Sequence, residues 1–216
     1  MKRVVLLLIS ICLSTTFLWA EVETEAKTPR ESFKGKTEVF LSVDKTLSSL
    51  TTVSSQDSSG KTITVSENSG SDGWCLSFEY YYYVSGDENS GNGIGLGINR
   101  NFVDGLNSTN IYFVYNGMFA LAPSDLYSKT YFVLNTGLGY GHINEEIKDD
   151  VLTSQLSGTL YYKLNIGIDF DGFNIYIGYR YNLITTENKY RSYMYSYNYN
   201  ATIMYHYFVA GIGFRI

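Results

Sequence analysis

Apolar and polar residues alternate one by one along several short segments of the chain. The clearest segment is the last, 204–216. One of its faces carries Met204, Phe208, Ala210, Ile212, Phe214 and Ile216, and the other carries Tyr205, Tyr207, Val209, Gly211, Gly213 and Arg215. A period of two places successive side chains on opposite sides of a β-sheet. The segment therefore predicts a strand with an apolar environment on one side and a narrow, partly polar space on the other.

The same alternation predicts strands over 74–84, 93–102, 110–121, 129–143, 159–170 and 173–183. A weaker stretch at 36–44 is predicted as the first strand, because bacterial membrane barrels have an even number of strands. If 36–44 were not a strand, 62–65 or 190–199 would have to supply the eighth. The segment 48–72 is rich in Ser and Thr, and we expect it to be a mobile loop.

Glycine residues indicate which face of these strands points inward. They share the polar face on nearly every strand, as at Gly93, Gly95 and Gly97, and small residues suit a narrow interior. A soluble, lipocalin-like barrel would instead keep its apolar face inside and cover its outer face with Lys and Glu, yet these segments contain few charges. The pattern predicts an all-β fold, an eight-stranded antiparallel up-and-down transmembrane barrel with its apolar face toward lipid.

The N-terminus has the pattern of a signal peptide over residues 1–20. Lys2 and Arg3 precede an apolar run, and Ala20 is a small residue suited to cleavage. The run spans about ten residues, whereas a membrane-spanning helix needs about twenty. We therefore expect export of the chain and removal of this segment.

The rest of the chain reads as one domain with a short tail. We expect a flexible leader at 21–35 and a barrel domain at 36–216, of which 74–216 has the clearest strand pattern. Removal of the signal peptide also removes Cys12 and leaves Cys75. A single cysteine forms no internal disulfide, so the fold itself must provide the stability.

Charge excludes one class of partner. The chain has 16 basic and 21 acidic residues, and loss of Lys2 and Arg3 leaves 14 basic residues and a net charge of −7. Nucleic-acid binding requires a basic surface, so we expect no nucleic acid as a partner. Outside 1–20 no apolar run reaches about eighteen residues, which also excludes a helical membrane protein.

Charged residues on the inward face predict a plugged lumen. They are Glu79, Lys163, Asp169, Arg180 and Arg215. An eight-stranded barrel is just wide enough for side chains to fill it, and buried charges must be paired because desolvation is costly. We therefore predict a packed ionic network in the lumen instead of an open pore.

Long loops are expected on the outer side of such a barrel, here at 144–156 and 185–200. The second loop is rich in tyrosine, at Tyr190, Tyr193, Tyr195, Tyr197 and Tyr199. Tyrosine offers rigid, amphipathic contact area for binding, and it is also typical of the aromatic belt at lipid headgroups. The spacing predicts a strand extension above the membrane that either contacts a host or surface ligand or belongs to that belt.

Two motifs resemble those of a known family. The run Asn135-Thr136-Gly137-Leu138-Gly139-Tyr140 is similar to the GAGxGY-like strand of small barrels of the OmpA, OmpX and opacity-protein type. The C-terminal strand, with Phe208, Ile212 and Phe214 at alternate positions, resembles the terminal strand of outer-membrane barrels, with Ile216 where Phe is usual. The resemblance covers 74–216.

The resemblance implies an exported protein of the outer membrane of a Gram-negative-type bacterium, without a cofactor. Its implied partners are outer-membrane lipids, the barrel-assembly machinery and periplasmic chaperones. A structural or surface-interaction role is the first expectation. Adhesion or ligand capture through the tyrosine-rich outer loops is the alternative.

Some small barrels are lipid A-modifying enzymes, deacylases and palmitoyl transferases, which use His with Ser and acidic partners. This chain has His142 and His206 on its apolar face, with Glu145, Ser154 and Ser157 following His142. No matching motif surrounds either histidine, so we expect interfacial anchors and no enzyme. We expect no metal site either, because neither His has a second ligand at a useful spacing.

Overall fold

The computed structural model describes residues 29–56, 62–69, 73–103, 106–125, 127–143, 146–148, 152–191 and 196–216. These residues form ten strands, β1 (Thr37–Gln56), β2 (Thr62–Ser69), β3 (Gly73–Gly86), β4 (Ser90–Val103), β5 (Leu106–Ala120), β6 (Thr130–Ile143), β7 (Glu146–Lys148), β8 (Leu152–Phe170), β9 (Phe173–Arg191) and β10 (Ser196–Arg215). The predicted signal peptide lies outside the described residues. Among the residues described, no helix is long and apolar enough to cross a membrane.

The sheet closes on itself as an antiparallel meander. Its order is β10-β9-β8-β6-β5-β4-β3-β1, and β1 also pairs with β10. The two short strands extend their neighbours, since β2 pairs with β1 beyond the end of β3 and β7 pairs with β8 beyond the end of β6. The wall therefore has eight positions, and the predicted eight-stranded barrel is confirmed.

The two ends of the barrel differ. One end, which we call the base, carries the turns 87–89, 121–129 and 171–172 together with the C-terminal Ile216. At the opposite end, the rim, the wall is uneven. The strands β1, β8, β9 and β10 have 19 or 20 residues, whereas β3 to β6 have 14 or 15. One side of the wall therefore stands taller than the other.

A belt of apolar side chains surrounds the outside of the barrel. Each wall strand contributes a large apolar residue that is at least 41% exposed, namely Leu41, Phe78, Ile98, Phe113, Leu138, Ile166, Ile177 and Phe208. The inward neighbours alternate with them, as β3 shows from Gly73 to Tyr83. A soluble monomer does not expose an apolar surface this continuous, so the belt is the surface that lipid covers.

The N-terminal part differs from the predicted mobile loop at 48–72. The second half of β1 and all of β2 lie in it, paired with each other from Ser49 to Ser69. Leu47 forms a β-bulge between Thr46 and Ser48, so inward positions change from even to odd numbers there. This shift, together with hydroxyl side chains on the outer face, removes the simple apolar alternation on which the sequence prediction depended. The predicted outer loop at 144–156 likewise contains β7 and the start of β8.

The predicted flexible leader also ends in an ordered segment. Residues 29–36, which we call the strap, cross the base, while 21–28 lie outside the described residues. Phe33 is 4% exposed, and its ring packs on Tyr83 and Tyr131 with centroids 5.0 and 5.2 Å away. A Cβ at Gly91 would come within 2.7 Å of the Phe33 ring. This glycine therefore leaves the space in which the strap closes the base.

Two glycines of β4 provide a test of the inward packing. A Cβ at Gly95 would overlap the carbonyl oxygen of Tyr80, whereas one at Gly93 would touch the Tyr83 ring at 3.3 Å. We expect Gly95→Ala to lower the free energy of unfolding by about 1–3 kcal/mol and Gly93→Ala to change it by less than about 1 kcal/mol. Urea unfolding in detergent micelles measures both, and equal losses would contradict the difference in packing.

Candidate functional site in the lumen and at the rim

Tyrosines fill the space that inward glycines leave in the lumen. Tyr112 on β5 is 1% exposed. A Cβ at Gly137 on β6 would lie 2.8 Å from its ring, and one at Gly97 on β4 would overlap it. Its ring also packs on Tyr161 at 5.1 Å between centroids. The rows of glycines and the high tyrosine content are therefore linked, because the tyrosine rings occupy the space that the glycines leave.

Glu79 is the centre of a first buried cluster. It is 0% exposed and accepts hydrogen bonds from the Tyr112 hydroxyl (2.6 Å), the Asn135 amide (3.2 Å) and the Tyr81 hydroxyl. The ammonium group of Lys163, on the far wall, also donates to it. The Lys163 Nζ lies 5.1 Å from the centroid of the Tyr112 ring. Both charges are thus desolvated, neutralised and hydrogen-bonded, as a buried ion pair requires.

Asp44 and Arg180 form a second cluster. The Arg180 guanidinium donates to Asp44 and to the Asn165 amide oxygen, and the Tyr176 hydroxyl donates to Asp44. The sequence prediction did not include Asp44 in the lumen. A signal was present, because Asp44 shares the inward face of 36–44 and the buried Arg180 needs an acidic partner.

A third cluster lies at the base around Arg215. Its guanidinium donates to Glu38 (2.7 Å) on the first strand and to Asp169 (3.0 Å) on β8, and it lies 5.8 Å from the centroid of the Phe33 ring in the strap. Asp169 also accepts the backbone N–H of Gly172 (2.9 Å) in the β8–β9 turn. Arg215 therefore connects the last strand, the first strand, a turn and the strap.

The structure thus distributes the five predicted lumen residues over three clusters. Glu79 pairs with Lys163, Asp169 pairs with Arg215, and Arg180 pairs with Asp44. Among these side chains there is a cavity of ≈ 20 Å³, bounded by Tyr81 and Tyr176 among others, which is room for about one water molecule. Across the described part of the barrel, side chains therefore close the lumen.

The rim reverses the polarity of the wall. Alternation places Val53, Val65 and Ile203, which are direct cross-strand partners, on the inner face. Ile203 packs with Tyr205 against the fully buried Ile184 of β9. The outer face at this level instead carries hydroxyl residues, Thr52, Ser54, Thr64, Thr185 and Thr202. The inner face also carries Thr51 and Ser55 and is therefore only partly apolar. Apolar residues inside and hydroxyl residues outside favour a wall that stands in water.

The tall side of the rim is also an open sheet. Its order is β2-β1-β10-β9-β8-β7, and within the described residues β2 and β7 pair on one side only. The inner face of β2 is well exposed, with Ile63 at 50% and Val65 at 59%. An unpaired strand edge can accept a further strand from a partner. The rim therefore combines a concave apolar face with two edges available for pairing.

The predicted outer tyrosines lie along this tall side. Tyr190 and Tyr197 are backbone partners between β9 and β10, and Tyr199 lies further along β10. Tyr193 and Tyr195 fall outside the described residues. In the C-terminal strand, the side chains of Phe208, Ile212, Phe214 and Ile216 are 38–78% exposed on the outer face.

The two histidines lie on the outer face. His142 is exposed on β6. His206 has its Nδ1 2.6 Å from the Tyr179 hydroxyl and its ring 5.0 Å from that of Tyr181. Glu145 lies outside the described residues. Groups of three His, Cys, Asp or Glu that could hold a metal ion are not found among the residues described.

Comparison with known proteins identifies the fold. No family model and no curated protein matches the chain. Among solved structures, the outer membrane protease OmpT from Escherichia coli is similar with a TM-score of 0.50 at 11% identity, over 90% of this chain and 99% of that chain. The chain has the fold of the small outer-membrane β-barrels. The resemblance predicted from the C-terminal strand and the glycine-rich strand is thereby confirmed for the fold.

Another similar structure is the outer membrane protein OprG from Pseudomonas aeruginosa. Its TM-score is 0.44 at 12% identity, over 88% of this chain and 99% of that chain. At such identities the likeness of this barrel to OmpT concerns the fold alone. Any activity has to be inferred from the residues of the barrel itself.

The Glu79–Lys163 pair provides a test of the lumen. Lys163→Met leaves a buried carboxylate without its counter-charge, and we expect the free energy of unfolding to fall by about 3–5 kcal/mol. The double variant Glu79→Gln/Lys163→Met removes both charges and should recover at least half of that loss. Urea unfolding in micelles, followed by Trp74 fluorescence, measures both.

A matched control is Lys34→Met, which changes an exposed lysine of the strap and should alter stability by less than about 0.5 kcal/mol. Equal losses in the single and the double variant would show that Lys163 contributes packing and not charge compensation.

Proposed function

We propose that this barrel is a non-conducting protein of the outer membrane that acts by binding a partner at its rim. The observation that carries the proposal is the closed lumen. With Glu79, Lys163, Asp44 and Arg180 engaged across it, transport through the interior would require breaking desolvated ion pairs. We therefore assign the function to the outer surfaces of the barrel. The rim is the candidate surface, because the polarity of its inner and outer faces differs from that of the rest of the wall.

The apolar belt and the fold support the membrane location. Bacterial barrels have short turns on the periplasmic side and longer loops outside. We therefore place the base, with its short turns and the strap, toward the periplasm and the rim outside the cell. The reversed polarity around Val53 and Ile203 supports a rim that extends beyond the lipid, because that wall is suited to water. Lipids surround the belt, and the assembly machinery and chaperones implied by the sequence resemblance would deliver the chain.

Binding is favoured over a purely structural role by the tall side of the rim. A structural barrel needs the belt and the packed lumen but has no use for Ile63 and Val65 exposed on a concave face, beside an edge that is unpaired within the described part of the chain. Tyr190, Tyr197 and Tyr199 lie on strands of the same side, and tyrosine is a residue that provides amphipathic contact area for binding. We therefore place adhesion or ligand capture at this surface. We propose no enzymatic role, since the exposed His142 and the tyrosine-bonded His206 lie on the outer, apolar face.

Conductance tests the closed lumen. In planar bilayers we expect the native protein to give no steady open-channel current. Glu79→Ala/Lys163→Ala removes the brace across the lumen and should produce frequent transient openings, while Lys34→Ala should behave like the native protein. A large steady current from the native protein would refute the proposal.

Binding tests the rim. We expect the native protein in vesicles to attach to host-cell surfaces, and a variant with Tyr190, Tyr193, Tyr195, Tyr197 and Tyr199 replaced by Ser to lose at least about tenfold in affinity. Tyr127→Ser, at an exposed tyrosine of the base, serves as the control. Both variants should keep the heat-modifiable gel migration of a folded barrel. Unchanged attachment by the rim variant would favour the structural role.

A further inference from the structure

The strap and the barrel enclose a polar cavity at the base. Its volume is ≈ 230 Å³, and its lining combines the cations Arg30, Lys36, Lys129 and Arg215 with the carboxylates Glu31, Glu38 and Asp171. A water molecule occupies about 30 Å³ in the liquid, so this space is large enough for a small polyatomic ion with several waters. The cavity shares Glu38 and Arg215 with the third cluster and is separate from the rim.

Arg30 is buried in this cavity with part of its hydrogen-bonding capacity unused. It is 7% exposed, and its Nη2 donates to the carbonyl oxygens of Ala122 (3.3 Å) and Pro123 (3.1 Å) in the β5–β6 turn. Its Nε and Nη1 are buried and have no hydrogen-bond partner among the residues that the structure describes. Burying an N–H donor of a charged group without an acceptor destabilises the folded state. An acceptor for these two groups is therefore expected, and the described residues do not supply one.

The other cations of the lining already have acidic partners. Lys36 donates to Glu31 (2.8 Å), which holds the pKa of that carboxyl below its ordinary value. Lys129 lies 3.5 Å from Asp171. Arg215 binds Glu38 and Asp169, as described above. Within the described residues, Arg30 has no carboxylate at ion-pair distance, so the uncompensated positive charge of the cavity lies on it.

We propose that this cavity binds a small oxyanion of the phosphate type, with Arg30 as its principal contact. An oxyanion supplies the acceptors that Nε and Nη1 lack, and charge-assisted hydrogen bonds of this kind are the stronger ones. Since Arg30 also holds the β5–β6 turn, the bound anion secures the strap to the barrel. The phosphate comes either from solution or from a lipid headgroup at the edge of the belt.

The first arm tests free phosphate. The mature chain, folded in a non-ionic detergent without lipid, is titrated with inorganic phosphate while calorimetry and thermal unfolding are recorded. We expect saturable binding that raises the unfolding temperature. Loss of one charge-assisted contact in Arg30→Gln should weaken binding about 10- to 100-fold. Lys34→Gln, a lysine exposed on the same strap, should bind like the native protein.

The second arm tests lipid phosphate. The same proteins are placed in vesicles of a zwitterionic lipid with or without an anionic phospholipid. If lipid is the source, the anionic lipid raises the unfolding temperature of the native protein and of Lys34→Gln but not of Arg30→Gln, and free phosphate has no effect in micelles. The proposal is overturned if neither source stabilises the native protein, or if Arg30→Gln and Lys34→Gln respond alike.

Folding of the variants is monitored by heat-modifiable migration. Arg30→Lys provides a second variant that keeps the positive charge, and it should retain measurable phosphate binding while Arg30→Gln does not. If Arg30→Lys and Arg30→Gln lost phosphate binding equally, the loss would be due to the β5–β6 turn that Arg30 holds. That result would also overturn the anion site.

Discussion

The structure depends on compensating charge where water is excluded. Glu79 on β3 and Lys163 on β8 stand four strand positions apart in a wall of eight, so their contact spans the full width of the lumen. Neither group tolerates burial alone, because the desolvation of a single charge exceeds what a barrel of this size can offset. The pair therefore fixes the distance between opposite walls, and the glycine rows and tyrosine rings fill the remaining space at that distance.

The polarity of the two faces of the wall changes between its lower part and the rim. Below the rim, the outer face is apolar at Ile177 and Phe208, and the inner face carries the charged clusters packed among glycines, tyrosines and buried apolar residues such as Met118. In the rim, the inner face is apolar at Val53 and Ile203. Because β1 shifts by one residue at Leu47, its second half presents the correct face to each environment. The bulge thus changes which residues face the lumen between the two halves of the strand.

Much of the barrel could be predicted from side-chain alternation alone. Segments such as 159–170 and 173–183 face one environment on each side over their whole length, so their pattern defines both the strand and its orientation. The pattern failed where the environment changed within a strand. The second half of β1 and all of β2 carry Ser and Thr on the water-facing side, and the bulge breaks the period. Asp44 was missed as a lumen residue because its strand had only a weak signal.

The strap could not be predicted, for a different reason. Phe33 and Arg30 have no local pattern, and their burial depends on Gly91, Tyr131 and a turn that lie far along the chain. The polar composition of the leader does not indicate that residues far along the chain form a pocket for the ring of Phe33. Sequence reasoning is reliable for regular elements in a uniform environment and poor for irregular segments positioned by long-range contacts.

The seam between β1 and β10 has a consequence for how the molecule is made. Phe40 on the first strand meets Arg215 on the last strand there, so these two strands must find each other before every strand in the circle has neighbours on both sides. Every other wall pairing joins segments close in sequence and can form early, whereas this one waits for the last residues of the chain. A chain that lacked β10 could form only an open sheet with two unpaired edge strands, β1 and β9. Such edges can pair with those of another such sheet.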